Sequence, residues 1–86
     1  MEINKEELEK YIQAIKAVID NSLFNDLSKC VESIIKNIPK LSEHIGLNNS
    51  YEISESLLVE ALKHATGNFS EFDVVNAFSE YSNNLI

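Results

Sequence analysis

The stretch Ile53–Tyr81, ISESLLVEALKHATGNFSEFDVVNAFSEY, decides how the rest of the chain is read. Leu57, Leu58, Ala61, Leu62 and Ala65 recur at three- and four-residue steps, the period of one buried helix face. Gly67 follows as a residue that enters the left-handed region at little cost, so it stops that helix. Start signals lie on either side of the stop. Ser54 precedes the first stripe, with Ile53 and Leu58 placed as a hydrophobic staple. Ser70 precedes a second stripe, with Asp73 three residues on and Phe69 placed to staple Val74. Glu71 and Asp73 add negative charge to the first turn, where the helix dipole favours it. The stretch therefore predicts two helices, over about 54–66 and 70–83, joined by a short turn. The second is expected to bury Val74, Val75, Phe78, Tyr81 and, at its end, Leu85.

The same grammar extends back to the N-terminus. Asn4 and Glu7 fit a capping box and Ile3 and Leu8 its staple. Leu8, Tyr11, Ile12, Ile15, Val18 and Ile19 then mark one face of a helix over about 5–20. A further stripe of Phe24, Leu27, Val31, Ile34, Ile35 and Ile38 predicts a helix over about 22–38. A single straight helix through both would carry two apolar faces roughly 140° apart. The simpler reading is a break at Asp20-Asn21-Ser22 and a hairpin; the alternative is one continuous helix whose two faces a dimer buries. Pro39 ends one helix and opens a short one over about 39–45, which Gly46 stops. The expected architecture is all-α: a single helical domain over residues 1–86, a small bundle of four to five helices in antiparallel hairpins.

Composition agrees with few long helices. The 86 residues are 44% hydrophobic, with two glycines, one proline and no tryptophan, too few turn formers for a many-stranded sandwich. Net charge is −7, and all seven basic residues are lysine, so the chain lacks the guanidinium fork that grips phosphate in two places. Residues 50–86 carry six acids (Glu52, Glu55, Glu60, Glu71, Asp73, Glu80) against Lys63 alone. A helix-turn-helix around Gly67 would read DNA with Glu71, Asp73, Asn76 and Glu80, whose charge repels phosphate, so no direct nucleic-acid partner is expected. Cys30 is alone and rules out an intrachain disulfide. No apolar run approaches the ~18 residues that span a bilayer, and MEINKEELEK lacks a basic start and an apolar core. A cytoplasmic location with no membrane partner is the expectation.

No chemistry is assigned to the chain. Cys30, His44 and His64 are far apart and lack metal-ligand spacing, and there is no glycine-rich phosphate loop. Cys30 lies mid-helix at the edge of an apolar stripe, the surroundings of an inert thiol. The carboxylates fall on solvent faces or at caps. No catalytic, cofactor or metal residues are therefore named, and the chain is not expected to be an enzyme. One short loop, Asn49-Ser50-Tyr51-Glu52 before an acidic helix, resembles the Asp-Ser-Leu carrier motif of acyl carrier proteins. That resemblance implies Ser50 at the phosphopantetheine position. It covers a few residues, departs at both neighbours of the serine, and has two predicted helices where that family has a long loop.

The informative apolar residues are those off the stripes. Phe72 projects toward the polar side of its helix, Val59 is rotated by roughly 130° from its stripe, and Tyr51 lies in a loop. Either neighbouring helices bury them, or they are anchors ringed by Glu52, Glu55, Glu60, Glu71 and Glu80. On the second reading the chain is a small acidic protein-interaction module: an adaptor, immunity protein or inhibitor of the kind carried by phages and plasmids. It would dock a protein with a basic surface through its acidic C-terminal hairpin. Two alternatives stand beside this, a nucleic-acid mimic that blocks a DNA- or RNA-binding protein, and a helical subunit of a larger assembly, a homodimer included.

Overall fold

Each break that the sequence places between helices is a place where backbone groups find local partners. The computed structural model describes residues 4–84, and all its regular elements there are helical. The Asn4 side chain accepts hydrogen bonds from the Glu6 and Glu7 N–H groups (2.9 and 3.2 Å) and opens α1, Lys5–Val18. Ile3 and Leu85, named for a staple and a core position, lie outside the described residues. After α1 the chain is not helical through Asp20. Instead the Asp20 carboxylate accepts from the Ser22 N–H at 2.9 Å and a 3₁₀ turn, Asn21–Leu23, follows. The break at Asp20-Asn21-Ser22 holds and the continuous helix does not, but the two helices do not pair with each other as the expected hairpin; each packs instead on helices from later in the chain.

The second helix, α2, covers Leu27–Lys36, not the whole of 22–38. Two acids six residues apart compete to start it, and Asp26 prevails by accepting from the Lys29 N–H at 3.2 Å. Leu23 and Phe24 thereby become half-buried connector residues instead of helix positions. Asn37 separates α2 from α3, Ile38–Ile45, with Pro39 in the first turn, where its missing N–H has no carbonyl to lose. Gly46, at φ +94°, closes α3: its N–H reaches the Glu43 carbonyl (3.2 Å) and the Leu47 N–H reaches the Ser42 carbonyl (2.9 Å). This is the paired carbonyl closure of a Schellman motif. A second 3₁₀ turn, Ser50–Glu52, leads into α4, Glu55–Thr66, and α5, Glu71–Asn84, completes the bundle.

The helices interleave. α1 packs on α4 and α3, while α5 packs on α2 and α4. The Cα radius of gyration, 11.9 Å, is what a compact globule of this length requires, about 12 Å. Tyr11, Ala14, Ile15 and Ile19 meet Leu57, Leu58, Ala61 and Leu62 and the α2 residues Cys30, Val31 and Ile34 in one buried cluster. Among its described side chains α5 contributes a single buried one, Val74. Val75 belongs to the surface instead, at 45% exposure, which corrects its expected burial. Adjacent residues on a helix point about 100° apart; Val74 faces the cluster, and among the described residues no neighbouring helix covers the side of α5 to which Val75 turns.

One polar bond ties the two ends of this cluster together. The Ser54 N–H, just ahead of α4, donates to the Tyr11 hydroxyl of α1 at 3.0 Å. Tyr11 is buried, so its removal strands a partly buried donor that has no helix partner of its own. Tyr11→Phe is expected to cost about 1–3 kcal/mol in urea unfolding. A loss below about 0.3 kcal/mol would mean that water replaces the hydroxyl freely.

Cys30 behaves as the sequence suggests for an inert thiol. It is fully buried and its S–H donates to the Leu23 carbonyl at 3.0 Å. Burial, aided by the Asp26 carboxylate, pushes its pKa above the ordinary thiol value. The unfolded chain therefore ionises first, and this group's contribution to stability, intact at neutral pH, is lost as pH rises from the ordinary thiol value toward the raised one. Iodoacetamide at pH 8 is expected to label Cys30 only as fast as the protein opens. Immediate labelling of the folded protein would overturn the assignment.

Candidate functional site

The α4–α5 hairpin owes its shape to its turn. Gly67 adopts φ +70°, ψ −8°, and its N–H closes α4 on the Lys63 carbonyl at 3.0 Å. Three residues later the Ser70 and Asp73 pair forms a reciprocal cap: the Asp73 N–H donates to Ser70 Oγ and the Ser70 N–H donates to Asp73 Oδ2, both at 3.1 Å. Half-buried Phe69 packs against the buried cluster that includes Val74, in line with the expected staple. α5 is thus anchored firmly at its start and lies along α4 and α2 with one face in and the opposite face bare.

Between α4 and α5 runs an open groove of about 730 Å³. Its apolar lining comes from Ile35 and Ile38 where α2 gives way to α3, Ile53, Leu58 and Val59 beside and on α4, and Val75 and Phe78 on α5. Its acidic lining is Glu55, Glu60 and Glu71. Serines 50, 56, 79 and 82 and Asn83 complete it, and no basic side chain is among the lining residues. A second hollow, between α1 and α3, is lined by Glu6, Glu9, Lys10, Gln13 and His44, with charges of both signs and no hydrophobic residue among them.

The residues singled out from the sequence divide into four groups. Glu55, Val59, Glu60 and Glu71 come together along the groove. Tyr51 and Glu52 occupy the 3₁₀ turn next to Ser50 at one end of it; Tyr51 is 98% exposed, and the Glu52 carboxylate accepts from the Asn48 N–H at 3.1 Å. Phe72, 72% exposed, stands just outside the groove beside Glu71 on the bare face of α5, about 160° round from Val74. Glu80 is on a different side of α5, about 140° from Val75, and the groove does not include it. The Glu60 carboxylate is only 18% exposed and lies 3.7 Å from the Lys63 ammonium and 3.8 Å from His64, so its charge is partly answered within the chain. Glu55 and Glu71 are exposed and engaged in no ion pair among the described residues.

Sequence reasoning missed Val75, Phe78, Ile35 and Ile38 as groove residues because all four sit on stripes that read as core. The available signal was doubling: Val74-Val75 and Ile34-Ile35 are adjacent pairs, and in each the second member is the one left at the edge. Ser50, at the carrier-motif position, starts the 3₁₀ turn that Asn49 caps through the Tyr51 N–H at 3.0 Å, and α4 begins five residues after it. Among the described residues no cluster of three His, Cys, Asp or Glu side chains could hold a metal ion, and no helix is long and apolar enough to cross a membrane.

Fold and groove together define a small all-α bundle with an apolar, acid-bordered cleft. No protein-family model, no curated protein and no solved structure matches the chain.

Proposed function

We propose that this protein is a small interaction module, of the adaptor, immunity-protein or inhibitor type, that docks a partner protein with a basic surface on its α4–α5 hairpin. The observation that carries the reading is the groove: an apolar floor bordered by three acids and no base. Such a surface offers burial for affinity and a one-signed field for selecting the partner. On this reading the protein acts by binding and not by catalysis, and a buried free thiol suits a reducing, cytoplasmic setting. The apolar floor favours this reading over nucleic-acid mimicry, since a surface imitating phosphates has charge where this one has Val59, Val75 and Phe78.

Affinity capture from the native host, run in parallel with wild-type, Phe72→Ala and Glu71→Lys proteins, tests it. Both positions are exposed, so both variants are expected to fold as wild type by circular dichroism. The expected result is a specific protein held by wild type and reduced about tenfold or more with either variant. A capture profile identical for all three would remove the hairpin as the binding face.

A further inference from the structure

We infer that the groove takes an amphipathic α-helix of the partner, about three turns long, with apolar residues in its middle and a cationic residue at each end. The inference rests on the proposed docking role and adds the shape, length and charge register of what docks. Length comes first. The α5 wall extends from Glu71 to Asn83, twelve steps or about 18 Å of helix axis. The long wall is α5 and the shorter facing wall, Glu55 to Glu60, belongs to α4, and a cleft between two helices is filled most closely by a third that sets its own ridges into theirs.

Charge then fixes the register. Because α4 and α5 run as a hairpin, Glu71, in the first turn of α5, belongs to one end of the groove, while Glu55, in the first turn of α4, belongs to the other, where the late α5 residues Ser82 and Asn83 also line it. The middle is apolar, with Val59, Val75 and Phe78. A helix laid along this cleft meets an unpaired acid at each end and an apolar floor between them; Glu60, beside Val59, lies along that floor, but its charge is partly answered by Lys63 at 3.7 Å. Its matching face carries a lysine or arginine at i and i+11, and apolar residues at i+4 and i+7 between them. A second copy of the same hairpin is the wrong ligand, because its α5 would bring Glu71, Asp73 and Glu80 against acids of the same sign.

The test uses the whole chain, isotope-labelled, and a capped 16-residue probe peptide of alanine and glutamine with lysine at positions 3 and 14 and leucine at 7, 10 and 11. A scrambled peptide of equal composition, its lysines and leucines spread around the helix, is the control. The ordered peptide is expected to shift the amide signals of Val59, Val75 and Phe78 and to bind at least about tenfold more tightly than the scramble. The Glu55→Lys/Glu71→Lys protein is expected to lose at least about tenfold in affinity. Val75→Glu, at an exposed position, is expected to lose as much while keeping the wild-type fold. Equal binding of the scramble, shifts confined to other faces, concentration-dependent self-association that covers these same residues, or no shift at millimolar peptide would each overturn the inference. Host capture that depends on Glu71 and Phe72, with no response to the peptide, would overturn the helical occupant and leave the docking role standing. Capture indifferent to those residues would sink the docking role itself.

Discussion

Leu62→Ala is expected to lower the free energy of unfolding by about 2–5 kcal/mol, the largest loss from any single truncation considered. Leu62 has no solvent exposure and lies on α4, the helix that packs on both α1 and α5. Truncation removes three carbons' worth of burial, and the void cannot collapse readily because neighbours from several helices hold one another in place. A domain of this size has roughly 4–13 kcal/mol in total, so the variant loses a large fraction of it. Urea titration checks the value: the midpoint is expected to drop by about 1 M or more with the slope unchanged. A loss under about 1 kcal/mol would show that the centre of the bundle is loosely packed.

Val74→Ala is expected to have a smaller but more local effect. Two methyl groups leave a fully buried position on α5, which amounts to about 2 kcal/mol with the cavity term included. Ala77, Phe78 and Tyr81, the rest of the inward face, are only half-buried and hold α5 less tightly. Amide exchange in α5 is expected to accelerate by roughly twenty- to thirtyfold while the inner amides of α1 and α4 change less. Equal acceleration in all five helices would mean that α5 opens only when the whole bundle does. The variant also bears on docking, since a loosened α5 blurs one wall of the groove without altering a lining residue.

The helices were legible because caps and stripes agree at nearly every boundary. Asn4, Ser54, Ser70, Gly46 and Gly67 all act where their chemistry indicates. α2 was misjudged at its start because Asp20 and Asp26 are both competent caps, and the choice between them depends on where Leu23 and Phe24 must reach to cover Cys30 and its neighbours. The groove was half legible. Glu55, Val59, Glu60 and Glu71 declare themselves by being acidic or off-stripe, but Val75 and Phe78 read as core until the tilt of α5 over α2 is known. Periodicity reports which face a residue is on; only the crossing of three helices says whether that face is covered to its edge.

The interleaved packing also bears on how the molecule comes together. α1 finds its main partner in α4, and α2 finds its own in α5, so neither N-terminal helix has a finished neighbour until the distal half of the polypeptide exists. The hydroxyl bond from Tyr11 to Ser54 spans 43 positions along the chain and can form only after that long loop has closed. Assembly is therefore governed by non-local steps, and it should be slower than in an up-and-down bundle of equal length whose successive helices simply zip together. During synthesis the first two helices emerge from the ribosome with their apolar stripes bare; α3 covers part of α1 first, and the main cover of both waits for the acidic hairpin.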